Sequence, residues 1–222
     1  MRRYLSLIAL LLAFAAPASA QDCNASKVEL FGGYAYLNAF PGNDQIRSDQ
    51  LNSRYSLNGF GVNVAVNPFE DCRFKKVGFV GDFSWHKNET DLSQLMLGST
   101  LIESAKTEIR RSRLLFGPRF SARSEETNIF AHILVGIANQ QVKAKGIIPD
   151  TMLEREFEAD TTDFAFAVGM GIDISVSKHF AVRVIQADYT PYRGDRNQEG
   201  TEKSWSHDFR LQFGIVYRWG LR

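Results

Sequence analysis

Phe209-Arg-Leu-Gln-Phe-Gly-Ile-Val-Tyr-Arg-Trp219 is the stretch whose pattern sets the reading of the whole chain. Its odd positions are large and apolar or aromatic, while its even positions are Arg210, Gln212, Gly214, Val216 and Arg218. A period of two belongs to a β-strand, in which successive side chains alternate between faces. Asp163 to Ile174 repeats the pattern: Phe164, Phe166, Val168, Met170, Ile172 and Ile174 alternate with Asp163, Ala165, Ala167, Gly169, Gly171 and Asp173. One face is bulky and greasy, and the other is small or charged.

Working outward, the same alternation recurs at Val28 to Leu37, Phe60 to Val66, Val77 to Trp85, Leu114 to Phe120, Ile129 to Ala138 and Phe180 to Tyr189. Eight strands are therefore predicted. In the seventh, Phe180, Val182 and Val184 share a parity with Gln186 and Asp188, so its facing stays open unless a bulge shifts it. Long polar connections at 39–52, 88–104, 142–157 and 192–202 alternate with short ones at 67–75, 121–127 and 175–178. In an antiparallel up-and-down sheet, alternate connections lie at one end, so the long ones gather on one side and the short ones on the other. Transmembrane barrels of bacteria have that asymmetry together with an even strand count.

Composition narrows the class further. The 222 residues carry 26 Lys+Arg against 25 Asp+Glu, are 44% hydrophobic, and include 17 Gly, 17 Phe and 2 Cys. Such a chain is not disordered, not a disulfide scaffold, and has no electrostatic case for nucleic acid. At the start, Met1-Arg2-Arg3, the apolar run Leu5 to Ala16 and Ala18-Ser19-Ala20 read as a secretory signal peptide spanning 1–20. The remaining chain, 21–222, shows no linker or low-complexity block and is read as one domain. Ala20-Gln21-Asp22 before Cys23 does not read as a lipid-attachment signal.

The faces decide between a soluble and a membrane barrel. A lipocalin-like soluble barrel turns its bulky apolar face inward around a ligand. Here the small and charged face suits the inside of eight strands, which is just wide enough for side chains to fill. Gly33, Ala35, Gly59, Gly61, Gly78, Gly117, Gly136, Gly169, Gly171 and Gly214 fall on it. So do Glu29, Asp82, Arg111, Arg113, Asp163, Asp173 and Arg210, which form a candidate interior charge network. Unpaired, any of these would be costly inside. Tyr34, Tyr36, Trp85, Trp205, Tyr217 and Trp219 lie near strand ends, as an aromatic girdle requires.

Val28-Glu-Leu-Phe-Gly-Gly-Tyr-Ala-Tyr-Leu37, Gly78-Phe-Val-Gly-Asp-Phe83, Leu115-Phe-Gly-Pro-Arg-Phe120, Val182-Arg-Val-Ile-Gln-Ala-Asp-Tyr189 and Leu211-Gln-Phe-Gly-Ile-Val-Tyr217 resemble the OmpA-like or OmpX-like (opacity-type) eight-stranded outer-membrane barrels. The resemblance covers about Val28 to Trp219. It implies an all-β, eight-stranded antiparallel up-and-down transmembrane β-barrel with four long extracellular loops and short periplasmic turns, located in the bacterial outer membrane. It also implies contact with outer-membrane lipids and lipopolysaccharide, assembly by the barrel-assembly machinery, and a possible surface partner at the four long loops. Members serve as anchors, adhesion or surface-contact proteins and small gated pores. Two departures stand out: no peptidoglycan-binding domain follows the barrel, and the chain runs past its last aromatic as Trp219-Gly-Leu-Arg222.

Candidate chemistry is sparse. Cys23 precedes the first strand and Cys72 lies in the first short connection, the same end of an up-and-down barrel, so a Cys23–Cys72 disulfide is expected in an oxidising compartment. Closing a loop of about 50 residues stabilises by roughly 4 kcal/mol on the chain-entropy model. His86, His132, His179 and His207 are scattered singly, so neither a metal site nor a cofactor is expected. His86 and His207, with Ser84, Ser204, Ser206 and Glu89 nearby, supply the residue types of a lipid hydrolase without its spacing. Gly59-Phe-Gly61 and Gly169-Met-Gly171 lack the context of phosphate loops. Leu92, Leu95, Met96, Leu97, Leu101 and Ile102 make 88–104 unusually apolar, either as a contact surface or as strands three and four continuing beyond the membrane. The expected role is non-catalytic, structural or adhesive; the alternatives are a narrow porin, a periplasmic lipocalin-like binder and an outer-membrane lipid hydrolase.

Overall fold

The computed structural model of the chain describes residues 26–40, 55–68, 77–97, 100–124, 126–148, 153–195 and 203–220. They form eight strands: β1 (Val28–Phe40), β2 (Tyr55–Val66), β3 (Val77–Leu97), β4 (Thr100–Arg123), β5 (Thr127–Ile148), β6 (Leu153–Ser175), β7 (Phe180–Asp195) and β8 (Lys203–Trp219). Each pairs antiparallel with its sequence neighbours, and β8 returns to β1, closing the barrel. Closure abolishes the sheet edge, so the paired backbone amides are satisfied without water. At the closing seam Gly33 faces Gly214. A Cβ on Gly33 would stand 2.2 Å from the Phe213 carbonyl oxygen, and one on Gly214 2.4 Å from that of Gly32, so the seam closes only with glycine on both strands.

The two faces are inverted relative to a soluble protein. Phe79, Phe116, Phe164, Ile215 and Trp219 are among the most exposed large apolar residues, while Arg111, Arg113, Arg183 and Arg210 are 1% exposed or less. Only a hydrocarbon surround makes that distribution favourable. On the four central strands the outward positions turn polar abruptly toward the long-hairpin end. Phe83 and Trp85 give way to Lys87 on β3, Leu114 to Ser112 and Arg110 on β4, Ile137 to Asn139 and Gln141 on β5, and Phe164 to Thr162 on β6.

Two of the connections expected to be long are largely strand, 142–157 and 88–104, the latter as the reading in which strands three and four continue beyond the membrane. β3 and β4 pair from Asn88↔Ile109 to Leu97↔Thr100, through most of 88–104. β5 and β6 pair as far as Ile148↔Leu153, inside 142–157; of 192–202 the described part is 192–195, the end of β7, which pairs with β8 as far as Asp195↔Lys203. Outside lipid the outward face no longer has to be apolar, so the hydrophobic alternation stops while the backbone ladder continues. Of the expected loop 39–52, Ala39 and Phe40 belong to β1 and the rest lies outside the described residues. Within the described residues β3 to β6 run for 21, 24, 22 and 23 residues, and β1 and β2 for 13 and 12.

The doubtful seventh strand carries a bulge. Its pairing shifts between Arg183 and Gln186, and Val184 and Ile185 both face outward at about half exposure. The extra residue returns Gln186, Asp188 and Thr190 to the lumen beside Arg183 and Ala181. The expected leader at 1–20 and both cysteines, Cys23 and Cys72, lie outside the described residues.

Candidate functional site

The lumen is where the polar chemistry of this chain collects. At the end holding the short turns, Glu29 on β1 accepts from Ser26 Oγ at 2.8 Å and from Arg119 Nη1 at 2.8 Å, and it also binds Arg123 Nη2. Arg119 and Arg183 share Asp173: Arg119 Nη2 lies 3.4 Å from Oδ2, and Arg183 Nε donates to Oδ1 at 2.7 Å. The guanidinia also stack on rings, Arg119 at 4.0 Å and Arg183 at 4.4 Å from the Phe130 centroid, with Phe31 4.3 Å from Arg183. Planar cations over aromatic faces are stabilised where water is excluded.

Midway up, Arg183 Nη1 donates to Asn63 and Gln186, and Gln186 Nε2 donates to Asp188 Oδ2 at 2.9 Å. Asp188 also contacts His132 Nε2 at 2.8 Å and accepts from Arg210 Nε at 2.9 Å. Arg210 completes its fork on Asp82 at 2.6 Å and Ser84 at 2.8 Å. Gly169 lets Asp188 sit there, since a Cβ at 169 would lie 1.9 Å from Asp188 Oδ1. Nearer the long hairpins, Arg111 and Arg113 both bind Asp208 Oδ2, Arg113 Nη1 reaches Thr190 Oγ1 at 3.0 Å, and Arg111 Nη2 binds Gln140.

Of the seven charges expected inside, Glu29, Asp82, Arg111, Arg113, Asp173 and Arg210 are buried in the lumen, and Asp163 is half-buried on β6. The structure joins Arg210 to Asp82, but gives Glu29, Asp173, Arg111 and Arg113 partners that were not anticipated: Arg119, Arg183 and Asp208. Arg119 shares the odd parity of Arg111 and Arg113 on β4, so its facing was readable. Asp188 and Gln186 were hidden behind the bulge.

The candidate hydrolase set is divided by the barrel wall. His86 is buried within, and Ser84 accepts a hydrogen bond from Arg210. Glu89 is exposed and pairs with Lys87, while His207 is exposed and stacks on Tyr189 at 5.9 Å. The side chains of Ser204 and Ser206 lie outside the described residues. No group of three potential metal ligands occurs among the described residues.

Residues 6–218 match the family model of the outer membrane protein beta-barrel domain. The chain belongs to this family. Solved outer-membrane barrels share the architecture. Ail, the attachment invasion locus protein of Yersinia pestis, is 13% identical with a TM-score of 0.52, over 88% of this chain and 99% of that one. OprG from Pseudomonas aeruginosa is 12% identical with a TM-score of 0.47, over 90% and 99%. Neisserial surface protein A is 11% identical with a TM-score of 0.46, over 87% and 98%. No curated protein matches the sequence. As an outer-membrane barrel, the molecule sets its apolar belt in lipid, its long hairpins outside the cell and its three short turns in the periplasm.

Proposed function

We propose that this outer-membrane barrel is a structural, surface-interaction protein of the adhesion type, with no catalytic centre, acting through its external hairpins. The observation that carries the reading is the division of the molecule into a closed lumen and a raised wall. Arg113, Leu115, Arg210 and Gln212 fill the barrel interior at 1% exposure or less, which leaves little room for a solute path. Meanwhile β3 to β6 run 21 to 24 residues, where about 9 to 11 suffice to cross the membrane. Extending four strands so far past the lipid has a rationale only if something is met there.

The same reading gives the chain a cleaved leader at 1–20, assembly through the barrel-assembly machinery with Tyr217 and Trp219 as the closing signal, and lipopolysaccharide around the outer belt. A Cys23–Cys72 bridge tethers the N-terminal segment at the periplasmic end; two reactive thiols in unreduced protein would exclude it.

The test is deletion of 91–105 and of 145–156, each replaced by a two-residue turn. Both variants should keep a heat-dependent shift on SDS gels, while cells displaying them lose attachment to surfaces or host cells that bind wild type. Undiminished attachment, or steady single-channel conductance by the intact protein in planar bilayers, would refute the reading.

A further inference from the structure

The two ends of the lumen differ in what their buried polar atoms still need. In the outer half, the unpartnered atoms include both ring nitrogens of His86, both amide atoms of Gln212, Asn38 Oδ1, Thr107 Oγ1 and Asp208 Oδ1, a mixture of donors and acceptors. At the periplasmic mouth they are Arg119 Nε, Arg123 Nε, Arg218 Nε and Arg218 Nη2, with a single acceptor, Asn128 Oδ1. Arg119 and Arg218 are 2% and 4% exposed, so these donors are not turned to bulk water.

Charge points the same way. Among the described residues the mouth gathers four guanidinia, Arg119, Arg123, Arg183 and Arg218, around two carboxylates, Glu29 and Asp173. Glu29 is shared by three of them: Arg119 and Arg123 bind it directly, and Arg218 Nε stands 3.7 Å from Oε1, beyond hydrogen-bond reach. Arg218 Nη1 is held by Ser175 Oγ at 2.7 Å, which fixes the guanidinium plane and leaves its other two nitrogens without an acceptor. Buried donors without acceptors, and two more guanidinia than carboxylates among the described residues of this cluster, are both relieved by one kind of guest, an oxyanion able to take several charge-assisted hydrogen bonds.

We infer that the periplasmic mouth of the barrel, formed by Arg119, Arg123 and Arg218 around Glu29, is a binding site for a phosphate-class oxyanion. The anion is either free in the periplasm or the headgroup of an inner-leaflet phospholipid. Arg218 and Arg123 grip it from the mouth, and Arg119 reaches it from within. Phosphate suits the site because planar guanidinium forks match its oxygens.

The experiment uses the folded protein in nanodiscs of a phosphate-free galactolipid, titrated with inorganic phosphate at constant ionic strength in chloride, and read by calorimetry and by phosphorus NMR. Saturable binding near one phosphate per barrel is expected. Arg218→Gln should weaken it roughly tenfold, the loss of one charge-assisted pair of hydrogen bonds. Arg218→Lys, which keeps the charge and loses the fork, should fall between. Retention of the heat-dependent gel shift checks that each variant is folded. A Glu29→Gln variant that folds should bind more tightly, since a competing carboxylate is gone, whereas a purely structural cluster gives no gain. Repeating the titration with phosphatidylglycerol in the disc separates the sources: a headgroup ligand occupies the site and suppresses phosphate binding, and a free-anion site is unaffected. Absence of saturable binding in the phosphate-free disc, or equal binding by wild type and Arg218→Gln, overturns the inference.

Discussion

Arg210 and Asp82 meet as a chord across the barrel: Nη1 of Arg210 lies 2.6 Å from Oδ1 of Asp82, although 128 positions separate them in sequence and two whole strands, β1 and β2, stand between their own. The same guanidinium holds Asp188, so one side chain ties β8 to β3 and to β7. Breaking a buried pair from one side leaves the other charge uncompensated. Arg210→Ala strands two carboxylates and should cost about 3–5 kcal/mol. The readout is the temperature of the heat-dependent gel shift or reversible urea unfolding in lipid. In a double-mutant cycle with Asp82→Asn, the two losses should be less than additive; simple additivity would mean that the chord contributes no coupling.

A second prediction concerns the glycine beneath Asp188. At Gly169 a Cβ meets Asp188 Oδ1 at 1.9 Å and His132 Nε2 at 2.8 Å, so Gly169→Ala must displace the carboxylate from its partners. Overpacking of this kind costs roughly 1–3 kcal/mol. Gly32→Ala is the matched control, because nothing lies within 4 Å of a Cβ there. Thermal melts of the two variants should separate clearly, with Gly32→Ala near wild type.

The position of the lipid boundary can be tested on a single strand. Ile133 faces outward within the apolar belt of β5, and Gln141, eight residues on, shares its face beyond the change to polar residues. Ile133→Arg should cost about 2–4 kcal/mol in bilayer unfolding, the penalty of a cation near mid-membrane. Gln141→Arg should leave stability within experimental error.

Above that boundary, the Arg110 hydrogen bond and then Lys87 hold the Glu108 carboxyl below its ordinary value. A folded-state pKa below the unfolded one gives a stabilising contribution that is present above the unfolded pKa and lost as pH falls through the folded one. Arg110→Gln should therefore move the Glu108 titration, followed by carboxyl NMR, upward toward the usual glutamate value. An unchanged midpoint would show that the contact is not maintained in solution.

How much of this was legible in the sequence follows from what each face touches. Phe209 to Trp219 alternates because lipid and lumen make opposite demands, so strand count, facing and most interior charges could be read from parity alone. Two features could not. The bulge at Val184 and Ile185 inserts a residue that no periodicity announces, and it concealed Gln186 and Asp188, the middle of the network. The outer reaches of β5 and β6 read as a loop because beyond the lipid neither face has to stay apolar, and the ladder that shapes them is backbone pairing, to which composition is blind; only for 88–104 did apolar residues offer continued strands as a reading. Partner choice was likewise invisible: Arg113 and Asp208 come together only because the sheet curls through a full circle.

The ladders of β3 to β6 do not stop where the apolar belt does. Their outer reaches stand up as a four-stranded screen, hydrogen-bonded strand to strand and continuous with the sheet that lipid holds. A push on that screen is therefore carried by backbone pairing into the membrane-spanning part of the barrel, and the screen cannot swing as a tethered loop would.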